Sequence, residues 1–145
     1  MLTRRAAGLL AVSLLARPAR GTPVERDAAL RRFTGGAVPR PGRVTLDMPP
    51  LVENGNAAAL SVSVDSPMTP ADHVRRIAVF NEANPQPEVL VACFGPAAVR
   101  AALDTRIRLA NSQTITAVAE MSDGSFWSAT ADVIVTLAAC VEGSG

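Results

Sequence analysis

Between Arg43 and Leu137 the chain is cut into short apolar runs by turn-forming residues, a spacing that suits strands and little else. The runs are R-V-T-L-D (43–47), A-L-S-V-S-V-D (59–65), R-I-A-V-F (76–80), V-L-V-A-C-F (89–94), T-R-I-R-L-A (105–110), T-I-T-A-V-A-E-M (114–121) and S-F-W-S-A-T-A-D-V-I-V-T-L (125–137). Their β-branched side chains are stiff and fit a pleated surface better than a helix. The breaks E-N-G-N, D-S-P-M-T-P, N-P-Q-P, F-G-P, N-S-Q and S-D-G-S supply the residues that turns require. Asp123-Gly124, set between two alternating runs, predicts a hairpin. About seven strands with almost no helix predict an all-β, immunoglobulin-like antiparallel β-sandwich. A chain of 145 residues with 48% hydrophobic content fills one such domain, with a core that needs neither metal nor disulfide.

The runs differ in how many faces they bury. In L-S-V-S-V-D the serines point one way and the apolar residues the other, as expected for a half-exposed strand. R-I-A-V-F and V-L-V-A-C-F are apolar on both faces, and only one face of a sandwich strand meets the core. The second face calls for a cover, either a partner subunit or a helix.

The N-terminal segment, residues 1–21, has the form of an export signal. Arg4-Arg5 is followed by an apolar stretch too short to span a bilayer, and Ala19 and Gly21 fit a small-x-small cleavage site before Thr22. The arginine pair points to the twin-arginine route and a periplasmic destination. Every basic residue is an arginine, and loss of this segment leaves 10 against 13 acidic residues, a net charge of about −3. With 3% aromatics and no remaining basic run, nucleic-acid binding is excluded as a reading. Residues 22–42 read as one short helix and a Pro/Gly linker. Pro23 suits the first turn, Glu25 and Asp27 its positive end, Arg31 and Arg32 the other, and Gly35-Gly36 end it. The sandwich is then expected over 43–137, with a mobile C-terminal tail over 138–145.

Residues able to carry chemistry are few. His73 is the only histidine and cannot build a zinc site with Asp72 alone, so it reads as a turn residue. No C-x-x-C, phosphate loop or nucleophile elbow is present, and Glu120 and Asp123 flank a turn as solvated carboxylates. Two cysteines remain. Cys93, inside V-L-V-A-C-F, reads as a small core residue. Cys140 stands outside any periodic pattern, in a tail with small neighbours. A disulfide between the two is one option for an exported domain, although Trp127 lies too late between them for the antibody-type arrangement. Covalent carriage is the other option, because an exposed thiolate is a nucleophile and accepts sulfur species as mixed adducts.

The segments P-P-L-V-E-N-G-N, S-V-D-S-P-M-T, N-P-Q-P-E-V, T-R-I-R-L-A-N-S-Q and V-A-E-M-S-D-G-S-F, in this order and followed by a tail cysteine, resemble the SoxY family. The entrance G-G-x-x-P-x-P-G-R-V-T-L-D is similar too, and the resemblance runs from about Val24 to Cys140. It implies an immunoglobulin-like fold and a periplasmic sulfur carrier for thiosulfate oxidation, without turnover or cofactor of its own. Sulfur would be attached covalently at Cys140. The implied partners are a SoxZ-like subunit in a heterodimer, the haem-containing SoxAX, the manganese hydrolase SoxB and the sulfane dehydrogenase SoxCD.

The tail departs from the family pattern G-G-C-G-G. Here Cys140 is flanked by Ala138 and Ala139 before it and Val141 and Glu142 after it, with Gly143, Ser144 and Gly145 beyond. Alanines stiffen the arm, Val141 is bulky beside the sulfur, and Glu142 disfavours thiolate formation and repels anions. These changes define an alternative: a non-catalytic periplasmic paralogue, a binding or scaffold subunit that keeps the fold and partner surface but not carriage.

Overall fold

The structure, a computed structural model, describes residues 20–140. Helix α1 (Pro23–Thr34) begins on Thr22, whose side chain accepts from Glu25 N–H while the Glu25 carboxylate accepts from Thr22 N–H. This reciprocal cap satisfies two donors that a helix start leaves free, and is worth about 1 kcal/mol. Gly35 ends the helix at φ 66, a conformation that favours glycine. Of the residues expected as an export signal, 1–19 lie outside the described residues.

All seven expected strands form. One sheet has the order β1 (Arg40–Pro41), β9 (Phe126–Val135), β8 (Gln113–Met121), β5 (Val74–Asn81), β6 (Glu88–Cys93), and β3 (Leu51–Val52) adds to β9 farther along. The other has the order β2 (Val44–Asp47), β4 (Ala58–Val64), β7 (Ala101–Ile107). The long pairs are antiparallel, whereas the two-residue strands β1 and β3 run parallel to β9. Between them the chain leaves β9, pairs with β4 as β2, and returns. Gly42 makes that departure at φ 119, lying so close to the Trp127 ring that a Cβ would come within 3.4 Å of it. These short pieces carry no periodic signal, so the sequence did not mark them.

The main core lies between the sheets and includes Leu60, Val62, Val74, Ile77, Val79, Leu109 and Ile115. Strand β4 alternates buried and open positions as L-S-V-S-V predicts. Strand β5 is buried on both faces, and α1 supplies its cover: Ala29 and Phe33 pack on Ala78, Phe80 and Val118. Phe33 meets Phe80 and Phe126 edge to face at 5.9 and 6.0 Å. The predicted hairpin joins β8 to β9, with Gly124 at φ 82 and Asp123 Oδ1 accepting from Ser125 N–H and Oγ–H.

Two expectations are corrected. Cys93 is exposed rather than part of the core. Strand β6 is the sheet edge, Cys93 is its last residue and pairs with Arg76, on the face that α1 covers farther along the sheet. The run expected at Thr105–Ala110 is displaced toward the N-terminus. Ala101, Ala102 and Leu103 pair with Val64, Ser63 and Val62, while Arg108, Leu109 and Ala110 leave the ladder. Asn84 holds that departing segment, donating to Arg108 O and accepting from Ala110 N–H.

Candidate functional site

Beyond β9 the chain does not leave the body at once. Thr136 N–H donates to Val52 O and its hydroxyl to Glu53 O, at 3.1 and 3.2 Å. Leu137 O accepts from Gly55 N–H at 2.8 Å, and Gly55 O in turn accepts from Leu109 N–H at 2.7 Å. Ala139 N–H donates to Leu109 O at 3.0 Å and is buried, while Cys140 N–H donates to Asn56 Oδ1 at 3.3 Å. Ala138 and Cys140 are exposed. The site is therefore an open thiol at the end of a short segment docked on two loops, and Val141 and Glu142 lie outside the described residues.

The docking loop is E-N-G-N, which folds as a single 3₁₀ turn, Gly55–Ala57, capped by Asn54. Asn54 Oδ1 accepts from both the backbone N–H and the side-chain Nδ2 of Asn56, at 3.0 and 3.1 Å. That leaves Asn56 Oδ1 aimed at the tail. Gly55 is required by crowding rather than by φ, since a Cβ there would stand 2.5 Å from Leu109 O and 2.9 Å from Ala139 N. Sequence reasoning read E-N-G-N as a turn and missed its second role. The signal for it, a glycine between two asparagines, looks the same in any turn.

The other candidates do not join this site. His73 ends a turn, its Nδ1 3.0 Å from Thr69 O. Glu120 pairs with Arg76, and Asp123 is held below the usual carboxylate range by its bonds to the Ser125 hydroxyl and N–H. Among the described residues no group of three or more His, Cys, Asp and Glu side chains could hold a metal ion, and no helix is long and apolar enough to cross a membrane.

Cys93 and Cys140 are free and cannot be joined. Through the ladder Cys93 stands level with Arg76, Glu120 and Phe126, at the start of β9, whereas Cys140 lies beyond its end. The strand between these levels is on the order of 30 Å long, and a disulfide needs Cα atoms within about 7 Å. The disulfide alternative is thereby set aside.

Comparison with known proteins agrees with this arrangement. The chain is similar to the sulfur carrier protein SoxY from Chlorobium limicola f thiosulfatophilum, with a TM-score of 0.64, 22% identity, and coverage of 79% of this chain and 98% of that one. It shares its fold with superoxide reductases too. That from Ignicoccus hospitalis has a TM-score of 0.53 and 16% identity, covering 81% and 95% of the two chains. That from Nanoarchaeum equitans has a TM-score of 0.55 and 9% identity, covering 66% and 100%. At these identities the likeness is one of fold alone. No curated protein matches the chain. The sequence model of the family described as sulfur oxidation protein SoxY matches residues 30–140, from the middle of α1 to the exposed thiol itself. The chain belongs to the SoxY family.

Proposed function

We propose that this protein is a covalent sulfur carrier in thiosulfate oxidation, holding its intermediates on Cys140 and presenting them to partner enzymes. The observation that carries the reading is the placement of Cys140, exposed on a segment held through its backbone, in a chain whose family match includes the same residue. Such a thiol is open to attack and to collision with a second protein, while Ala138 and Ala139 keep the approach narrow.

The chemistry asks little of the carrier itself. In loading, the Cys140 thiolate and the outer sulfur of thiosulfate form a sulfur–sulfur bond, and two electrons pass to a haem partner of the SoxAX type. Hydrolysis by a SoxB-type manganese enzyme then adds water across the sulfur–sulfonate bond. It releases sulfate and two protons and leaves a persulfide on Cys140, which a SoxCD-type sulfane dehydrogenase oxidises further. The carrier holds no cofactor and has no turnover of its own. Export to the periplasm by the twin-arginine route and pairing with a SoxZ-like subunit belong to the same reading, supported by family membership and by Arg4-Arg5.

The test is intact mass spectrometry of the protein recovered from the periplasm of thiosulfate-grown cells, before and after reductant. Reductant-labile sulfur or thiosulfonate additions are expected on the Cys140 peptide. They should vanish in Cys140→Ser and persist in Cys93→Ser. An unmodified Cys140 under these conditions would favour the paralogue that keeps the fold without carriage, a reading that the V-E-G-S-G tail supports.

A further inference from the structure

Of the hydrogen bonds that hold the tail among the described residues, the one at Cys140 is the longest. Leu137 O is held by Gly55 N–H at 2.8 Å, Ala139 N–H by Leu109 O at 3.0 Å, and Cys140 N–H by Asn56 Oδ1 at 3.3 Å. Gly55, Leu109 and Ala139 are buried, whereas Leu137, Asn56 and Cys140 are open to water, so the contact at Cys140 joins two exposed residues. A water-exposed hydrogen bond of this kind contributes about 1 kcal/mol or less, so the outermost contact opens first and most often.

From Leu137 to Cys140 the tail is held through its backbone. Asn56 takes the N–H of Cys140, and among the described residues no hydrogen bond involves its sulfur, so the docked segment is compatible with a free or a substituted thiol. Asn56 is itself oriented: Asn54 Oδ1 accepts from both its backbone N–H and its Nδ2, which turns the amide oxygen outward to the tail. Gly55 brings the loop close enough for this, because any larger residue would collide with Leu109 O and Ala139 N.

We propose that Asn56, oriented by Asn54, is a positioning residue that docks the tail at Cys140 and gives the carrier two states, docked and released. This rests on Cys140 being the sulfur attachment site. In the docked state the thiol is offered at one place beside the E-N-G-N loop. When the bonds of Cys140 and Ala139 open while Leu137 stays anchored, three residues are freed and the thiol gains up to about 10 Å of reach. Docking thus lowers the number of positions a partner must search, and release lets the same thiol extend toward a recessed site.

The experiment is residue-resolved amide hydrogen exchange by NMR on the full exported chain, its Asn56→Ala variant and its Asn56→Asp variant. In the parent the Cys140 amide should exchange about fivefold more slowly than in Asn56→Ala, the factor that a bond of about 1 kcal/mol gives. Asn56→Asp keeps an acceptor oxygen and should restore the protection. Amides of β5 and β8 should exchange alike in all three, which separates positioning from folding. Equal Cys140 rates in parent and Asn56→Ala, or loss of protection in Asn56→Asp, would overturn the proposal. Exchange does not depend on sulfur chemistry. A protected amide on a thiol that never gains an adduct would therefore reject carriage while leaving the clamp in place.

Discussion

The two cysteines show how exposure and attachment separate. Both thiols are open to solvent, yet Cys93 closes a six-residue strand that pairs with β5, and its successor Phe94 still donates to Arg75 O. Among the described residues Cys140 is held by one hydrogen bond, to the side chain of Asn56. To move Cys93 by several ångströms, part of a sheet must come apart. To move Cys140, one exposed bond and then one more must open. Among the described contacts the second thiol is the more lightly held, although the two look alike in accessibility.

This contrast can be broken from either side. The largest effect is expected from Phe33→Ala, which empties the space between α1 and the sheet that carries Cys93. Removing a phenylalanine packed on Phe80 and Phe126, with the Arg76 guanidinium 4.3 Å from its ring, should cost about 3–5 kcal/mol in urea unfolding. A loss well under 1 kcal/mol would mean that α1 does not hold this face. Exchange at the Ala139 and Cys140 amides should not change.

Gly55→Ala acts on the other side. Its Cβ would crowd Leu109 O and Ala139 N, so the expected cost is about 1–3 kcal/mol, with loss of amide protection at Ala139. Cys93 should react with a thiol reagent at its parent rate. A variant with full stability and a protected Ala139 would show that the tail is held by something other than this loop.

The smallest effect is expected at Asp123, in a hairpin at the Cys93 end of the sheet and far from the tail. Its folded pKa is lowered by the Ser125 hydroxyl and N–H, so it contributes stability above the unfolded carboxylate range. That contribution fades as pH falls through the lowered folded value. Asp123→Asn should therefore be slightly less stable than the parent at neutral pH, with the difference closing in acid, as read from melting temperatures. A difference that widened in acid would reverse the sign and remove the assigned cause.

Much of this was legible in the sequence, for reasons tied to particular residues. Alternation in L-S-V-S-V set the pleat of β4, Asp123-Gly124 set the hairpin, and Thr22, Pro23, Glu25 and Gly35 set both ends of α1, because each acts through neighbours a few residues away. Cys140 stood out because no periodic pattern claimed it. Other features depended on residues distant in the chain. R-I-A-V-F and V-L-V-A-C-F have the same apolar texture, and only strand order placed one beneath α1 and the other at the sheet edge with Cys93 exposed. The clamp on the tail joins Asn56, Leu109 and Ala139, which are far apart in the chain. By itself, then, the sequence determined the sandwich, its hairpin and its helix, and singled out the tail thiol. The tertiary structure decided which apolar face was covered and how the thiol is held. Both of those are contacts between segments that local pattern and propensity do not encode.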